Sequence, residues 1–148
     1  MLKRLTSVQK AYLAGFLDGD GSVYVRAKPN PTYRYGFQIA PYVVLFQSSK
    51  ESDSFSELCK LIDVGHLRTR SDGILEYVIS KAGEIREFLH CVAPYVVLKK
   101  RQIALMLRIL EQKERIECRE DFAALLRLID LYRELNYSKK RKERALTP

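Results

Sequence analysis

An apolar segment near the start of the chain ends abruptly in two carboxylates, and this junction constrains the fold more than any other feature. From Val8 to Leu17 the apolar side chains recur at spacings of three and four residues, which predicts a helix with Ser7 as its N-cap. The helix should end at Asp20, within an Asp-Gly-Asp-Gly run. A carboxylate at a helix C-terminus is disfavoured by a few tenths to about 1 kcal/mol, because the carbonyl oxygens there already carry negative charge.

The end of this helix is therefore a candidate metal site. A bound cation would reverse the unfavourable sign, and the carboxylate of Asp20 and the carbonyl oxygen of Gly19 are ligands of the kind that Mg²⁺ prefers. Gly15 and Gly19 lie four residues apart, on one helix face, where a second helix could approach closely. One short segment thus suggests both a metal site and an interface.

Two other interpretations use the same residues. A helix that ends at glycine and leads into a strand needs no metal, and local chemistry alone leaves that interpretation open. A calcium loop of the EF-hand type requires glycine at its sixth position and glutamate at its twelfth. This chain has Val23 and Pro29 at those positions, so the EF-hand interpretation fails on spacing.

Length and composition predict one compact intracellular domain spanning residues 1–148. A chain of 148 residues can bury a sizeable core, and no repeat or linker divides it. No apolar run approaches the roughly 20 residues of a membrane span, and Met1 to Lys10 lacks the apolar region of a secretory signal, which predicts a soluble protein without a membrane partner. Cys59, Cys91 and Cys118 have no paired spacing, so neither a disulfide framework nor a zinc site is indicated.

The net charge of +8 favours a polyanionic partner, and its distribution shows where that partner would bind. Between Ser22 and Lys50 there are four basic residues and no acidic one. Apolar and polar residues alternate from Ser22 to Lys28, which predicts a half-buried strand with a basic outer face. A partner strand should run from Tyr33 to Gln47, with Pro41 at an edge or a bulge.

The rest of the chain continues the same alternation of helices and hairpins. A second hairpin is predicted from His66 to Ser80, and helices are predicted over the four ranges Glu51–Ile62, Ala82–Val92, Leu98–Gln112 and Asp121–Leu135. The resulting class is α+β, with an αββαββα core, a four-stranded antiparallel sheet and additional C-terminal helices. Residues 138–148, which include Lys139, Lys140 and Arg141, are predicted to be a flexible basic tail that contacts phosphates.

These landmarks together resemble a known family. The segment from Leu13 to Gly21 resembles the nine-residue signature of the LAGLIDADG homing endonucleases, with Phe16 and Gly19 as variations inside it. Three further matches follow along the chain: Lys28-Pro29-Asn30, Val64-Gly65 before a strand with two arginines, and Pro94 to Gln102 before a long helix. The resemblance covers nearly the whole chain and points to the single-motif, homodimeric members encoded in group I introns.

The resemblance implies a site-specific double-strand DNA endonuclease with the LAGLIDADG endonuclease fold. Such an enzyme recognises a long pseudo-palindromic site, cuts across the minor groove and leaves short 3′ overhangs. Its implied cofactor is Mg²⁺, with Mn²⁺ as a substitute and Ca²⁺ as an ion that binds without supporting cleavage. Its implied partners are double-stranded DNA, a second copy of itself and its intron RNA, in an organelle (chloroplast or mitochondrion) or a prokaryotic cytoplasm.

Residue roles carry over position by position. Asp20 would bind the metal, Gln47 would position solvent, Lys99 would stabilise charge near the metals, and Asp18 would cap or orient nearby backbone. The implied dimer interface consists of Leu13, Ala14, Gly15, Phe16 and Gly19. The implied DNA-binding residues, which include the tail residues above, are Arg26, Lys28, Asn30, Thr32, Tyr33, Arg34, Gln38, Lys50, His66, Arg68, Arg70 and Glu76. Ala40, Tyr42 and Val44 are expected either at thymine methyl groups or in the core.

One departure from the family pattern keeps a second function open. The family usually has a basic residue shortly after Gln47, where this chain has Glu51, next to Lys50. If neither residue organises solvent, the protein would be a slow nuclease or a non-cleaving nucleic-acid binder, such as an intron RNA maturase or a DNA-binding regulator. The carboxylate of Asp20 argues for the nuclease.

Overall fold

The structure is a computed structural model and describes residues 4–136 of the chain. Its helices are α1 (Ser7–Asp20), α2 (Ser52–Ile62), α3 (Ala82–Val92), α4 (Lys100–Glu114) and α5 (Arg119–Asn136). Its strands are β1 (Gly21–Pro29), β2 (Phe37–Ser48), β3 (His66–Thr69) and β4 (Ile74–Ile79), in the sheet order β1-β2-β4-β3. The predicted α+β class and the αββαββα order are confirmed, followed by two further helices.

The described chain forms two compact units, each built from two stretches. The first unit contains residues 4–23 and 41–100, and the second contains residues 24–40 and 101–136. The single domain spanning residues 1–148 stays a prediction. Among the described residues, no helix combines the length and the apolar character needed to cross a membrane.

Helix α1 begins at Ser7, one residue earlier than a Ser7 N-cap would place its start. Thr6, not Ser7, is the N-cap, because its hydroxyl accepts the N–H of Gln9 at 3.1 Å while the Gln9 side chain accepts the N–H of Thr6 at 3.0 Å. This reciprocal capping box satisfies two donors that would otherwise lack partners. The helix then runs to Asp20, as predicted, and it packs against α3 in the first unit.

The second hairpin is positioned by its turn and by a buried tyrosine. Strands β3 and β4 pair antiparallel, with Arg68 opposite Glu76, across a turn in which Gly73 has a φ of 81°. A positive φ favours glycine because a Cβ would clash with the backbone there. The Tyr77 hydroxyl on β4 donates to the carbonyl oxygen of Val64 at 2.5 Å, which fixes the chain where it enters the hairpin.

Removing the Tyr77 hydroxyl should therefore destabilise the first unit. We expect Tyr77→Phe to lower the free energy of unfolding by about 1–2 kcal/mol, because the Val64 carbonyl loses its buried donor. Burial raises the pKa of Tyr77 to about 12 from an ordinary value of 10.0. The phenol's contribution to stability is therefore complete below about pH 10 and is lost as the pH rises towards 12. Urea unfolding measures the difference, with the exposed Tyr33→Phe as a control that should change stability by less than about 0.5 kcal/mol.

In the second unit, the turn before β2 is longer than the sequence indicated. Strand β2 begins at Phe37 rather than Tyr33, because the N–H of Asn30 donates to the carbonyl of Gly36 at 2.8 Å and closes a loop. Phe122 of α5 stacks on Tyr35, with ring centroids 5.0 Å apart. Four apolar residues of α5 are buried: Leu125, Leu128, Ile129 and Tyr132.

The middle of β2 resolves an alternative that the sequence left open. Ala40 and Val44 are buried, which places both in the core, whereas Tyr42 is half-buried. Pro41 lies inside the strand, two residues before the pairing with β4 begins at Val43. This position suits proline because β2 there extends beyond its β4 neighbour, so no N–H is needed on that side.

Candidate nuclease site

Asp20 occupies the predicted position at the end of α1. It is the last residue of the helix and it is exposed. Within residues 4–136, no hydrogen bond or ion pair engages its carboxylate. An exposed carboxylate at the negative end of a helix is electrostatically disfavoured, so a cation that binds it would reverse that unfavourable interaction.

The donor set at this helix end fits a hard divalent cation shared with a substrate. The last carbonyl groups of a helix lack helical partners, which leaves the Gly19 carbonyl as an oxygen donor beside the Asp20 carboxylate. Within the described chain, no group of three or more His, Cys, Asp or Glu side chains converges on one point. Mg²⁺ typically binds through one or two carboxylates, several waters and substrate phosphates, so a single protein carboxylate suits that ion.

Asp18 binds backbone, as its position in the motif predicted. One carboxylate oxygen accepts the N–H of Val97 at 2.7 Å and of Leu98 at 3.0 Å, and the other accepts the N–H of Lys99 at 3.1 Å. Partial burial raises the pKa of the Asp18 carboxyl, but the three N–H donors and the charge of Lys99 outweigh burial and lower the pKa overall. The predicted capping role of Asp18 is confirmed.

Lys99 is tied to the same helix end. Its side-chain Nζ donates to the backbone carbonyl oxygen of Asp18 at 3.1 Å, and the residue is half-buried just before α4 begins at Lys100. An ammonium has three donors, and the described residues engage one of them. The other two donors remain available for an anionic ligand beside the helix that carries Asp20.

Gln47 lines a cavity beside α1. Its Oε1 accepts the N–H of Ser48 at 2.8 Å, so its amide N–H groups point elsewhere. The cavity, of about 240 Å³, is also lined by Glu51, whereas Lys50 is exposed outside it. The remaining lining residues are Tyr12, Phe16, Ser54, Phe55 and Leu58. The structure thus places the acidic residue, and not its basic neighbour, with Gln47.

The exposed face of α1 differs in part from the predicted dimer interface. Leu13 and Ala14 are fully buried in the protomer's own core, with 0% exposure, so they are not on the free surface. Phe16 is half-buried and stacks on Phe55 of α2, with centroids 5.9 Å apart. Gly15 and Gly19 are exposed, and a Cβ added at either would meet nothing within 4 Å. The helix therefore presents a flat glycine face to solvent.

Seven predicted DNA-binding residues lie in the second unit, on β1, the following loop and β2. The Arg26 guanidinium lies over the Tyr24 ring at 5.5 Å, and the Arg34 guanidinium over Tyr35 at 5.3 Å. The Asn30 side-chain oxygen accepts both the N–H and the hydroxyl of Thr32, so it orders the loop. The exposed members of this set are Arg26, Thr32, Tyr33 and Arg34, and the half-buried ones are Lys28, Asn30 and Gln38.

Five others lie in the first unit. Glu76 is buried at 8% exposure, and its Oε1 accepts from Nε of the exposed Arg68 at 3.0 Å, which holds the arginine in one orientation. Arg70 forms an ion pair with Asp72 at 2.6 Å in the turn. His66 and Lys50 are exposed. The predicted tail contacts at Lys139, Lys140 and Arg141 lie outside the described residues.

Comparisons with known proteins agree with this geometry. Residues 13–109 match the family model described as LAGLIDADG endonuclease. The chain is 34% identical over 140 residues to the DNA endonuclease I-CreI of Chlamydomonas reinhardtii, covering 92% of this chain and 83% of that protein. A crystal structure of the homing endonuclease I-CvuI in complex with the I-CreI target has a TM-score of 0.83 at 26% identity, covering 90% and 85%. The homing endonuclease I-TnaI has a TM-score of 0.75 at 25% identity, covering 96% of each chain.

Proposed function

Because this chain belongs to the LAGLIDADG endonuclease family, we propose that it is a site-specific DNA endonuclease that hydrolyses both strands of a long pseudo-palindromic site with divalent metal ions. The observation that carries the proposal is the unengaged carboxylate of Asp20 at the end of the motif helix, beside a lysine with free donors. The products would carry short 3′ overhangs. The protein would act within a prokaryotic cytoplasm or an organelle.

The residues divide the work of phosphodiester hydrolysis between them. Asp20 and the Gly19 carbonyl would hold the metal, and Gln47 would orient the attacking water with its amide N–H groups. Lys99 would donate to a phosphoryl oxygen, where negative charge accumulates as the bond breaks. When bound, Mg²⁺ supplies Lewis-acid stabilisation of charge on the phosphoryl and leaving oxygens, with Mn²⁺ as a substitute and Ca²⁺ as a non-supporting ion.

A second copy of the chain would complete the enzyme. One motif helix offers one Asp20, whereas cutting two strands requires two sites. The exposed glycine face of α1 supports a close approach of the same helix from a partner protomer, which would bring the two Asp20 residues together. A homodimer of this kind would read two similar half-sites, which is why the target should be pseudo-palindromic.

Cleavage of a plasmid library tests the proposal. The library carries randomised sites and sites that resemble intron insertion points, and it is incubated with the protein in Mg²⁺ or in EDTA. We expect linear product in Mg²⁺ and none in EDTA. If the purified protein selects a site yet leaves it intact in both Mg²⁺ and Mn²⁺, the catalytic proposal is wrong and a DNA-binding regulator or intron RNA maturase replaces it.

Arg68 should contribute specificity rather than rate. We expect Arg68→Ala to relax discrimination at one position of each half-site by about 1–3 kcal/mol, because an arginine held by a buried glutamate is preorganised for a guanine edge. Cleavage of a panel of single-base target variants measures the effect. The control is Arg127→Ala on α5, an exposed arginine for which no DNA contact is proposed. Equal loss of affinity for every target would instead assign Arg68 to a phosphate.

A further inference from the structure

Asp18 and Lys99 are distant in the sequence, but hydrogen bonds connect them at the nuclease site. The carboxylate of Asp18, in the last turn of α1, accepts hydrogen bonds from three consecutive backbone N–H groups, those of Val97, Leu98 and Lys99. In return, Lys99 Nζ donates to the Asp18 backbone carbonyl. Four hydrogen bonds of 2.7–3.1 Å therefore join the end of α1 to the segment before α4.

These hydrogen bonds offset the unfavourable charge at the end of α1 and at the start of α4. The first turn of α4 contains no acidic residue and begins with Lys100, preceded by Lys99, so its positive end carries further positive charge. Helix α1 has the opposite problem, since its negative end carries Asp18 and Asp20 and no basic residue. Lys99 therefore supplies positive charge at the end of α1, and the Asp18 carboxylate supplies negative charge just before α4.

We propose that Asp18 is a positioning residue that sets the location of the Lys99 ammonium for phosphodiester cleavage, an inference that rests on the proposed function. The carboxylate of Asp18 is occupied by three backbone donors, so its role would be to hold backbone rather than to bind substrate. Its three bonds fix the backbone from which the Lys99 side chain extends. The ammonium is thereby held at the end of the helix that carries Asp20, with two donors directed to a phosphate.

A double-mutant cycle distinguishes positioning of Lys99 by Asp18 from a purely structural role of Asp18. Asp18→Asn replaces one acceptor oxygen with an NH₂ group that opposes a backbone N–H. We expect it to lower the single-turnover cleavage rate by about 10–100-fold, because displacement of a reacting group by about 1 Å has effects of that size. DNA affinity should change by less than about threefold, since the phosphate and base contacts are elsewhere. The exposed Asp130→Asn on α5 is the charge-matched control and should leave both quantities unchanged.

The decisive comparison uses Lys99→Met as the background. If Asp18 acts through Lys99, then Asp18→Asn added to Lys99→Met should slow cleavage by less than about threefold further, far less than it slows the wild type. Independent, multiplicative losses would overturn the proposal, because they assign Asp18 a purely structural role. A loss of DNA binding equal to the loss of rate would overturn it as well.

Amide hydrogen exchange without DNA tests the contact independently of cleavage. The N–H groups of Val97, Leu98 and Lys99 should exchange slowly in the wild type and at least about tenfold faster in Asp18→Asn, while those of α3 stay unchanged in both proteins. Fast exchange in the wild type would overturn the proposal. A protein with slow exchange that cleaves no DNA would refute the proposed function, and the catalytic use of Lys99 with it, while the contact itself would stand.

Discussion

Asp20→Asn should abolish cleavage while leaving DNA binding intact. Loss of the carboxylate removes the charged protein ligand of the divalent ion, and such an ion is worth several kcal/mol of charge stabilisation in the transition state, which corresponds to a rate loss of about 10²–10³-fold or more. Affinity for the target should be unchanged or higher, because one negative charge facing the phosphates has been removed. Single-turnover cleavage in Mg²⁺ and binding in Ca²⁺ measure the two quantities.

We expect Asp20→Asn to raise the stability of the protein although it lowers the cleavage rate. Asp20 lies at the negative end of α1 without a partner among the described residues, so its removal should raise the free energy of unfolding without metal by a few tenths to about 1 kcal/mol. A function-stability trade of this kind is expected where a charge serves a ligand rather than the fold. Asp130→Asn, on the exposed face of α5, should change neither rate nor stability beyond about 0.5 kcal/mol. Cleavage by Asp20→Asn at the wild-type rate would remove Asp20 from the mechanism.

Local sequence patterns predicted the elements well where one signal was sufficient. Helix α3 has the bounds that its apolar spacing indicated, Ala82–Val92, and both strands of the second hairpin lie within the predicted range, His66 to Ser80. Competing signals shifted other boundaries. Thr6 and Ser7 are both good N-caps, and only the reciprocal bonds with Gln9 select Thr6. Strand β2 begins late because a loop closes at Gly36, which has a φ of 82°. The pattern of apolar residues does not reveal such a loop.

Long-range contacts at the site could not be predicted from spacing. Asp18 and Lys99 are 81 positions apart, and no periodicity connects them. Their contact also explains why α4 begins at Lys100 rather than Leu98, since the preceding N–H groups bind a carboxylate instead of following a helical path. For the same reason the sequence could not decide which side of α1 is free. Leu13 and Ala14 are buried on a helix that packs against α3, which lies far away along the chain.

Filling the glycine face of α1 should separate the protomers and abolish double-strand cleavage. A Cβ added at position 15 would meet nothing within 4 Å inside the protomer, and the residue is exposed, so the fold should accept Gly15→Leu. Helix propensity should even raise the stability of the protomer by about 0.5–1 kcal/mol, because glycine is a poor helix former. Two motif helices that approach through their glycines would be pushed apart by the new side chains. Sedimentation velocity should show a monomer, and plasmid assays should show no linear product.

Gly83→Leu is the matched control, because Gly83 is also exposed and helical, and a Cβ added there would likewise meet nothing within 4 Å. It should preserve both the dimer and cleavage, so any difference between the two variants reports the location of the interface rather than the effect of an exposed leucine. A cooperative thermal transition in both variants confirms that the protomer is folded. If Gly15→Leu remains dimeric and cuts both strands, the protomers associate through another surface and the two Asp20 residues do not meet across α1. If the variant becomes monomeric yet still linearises plasmid, one protomer suffices for both cuts, and the need for two motif helices would have to be abandoned.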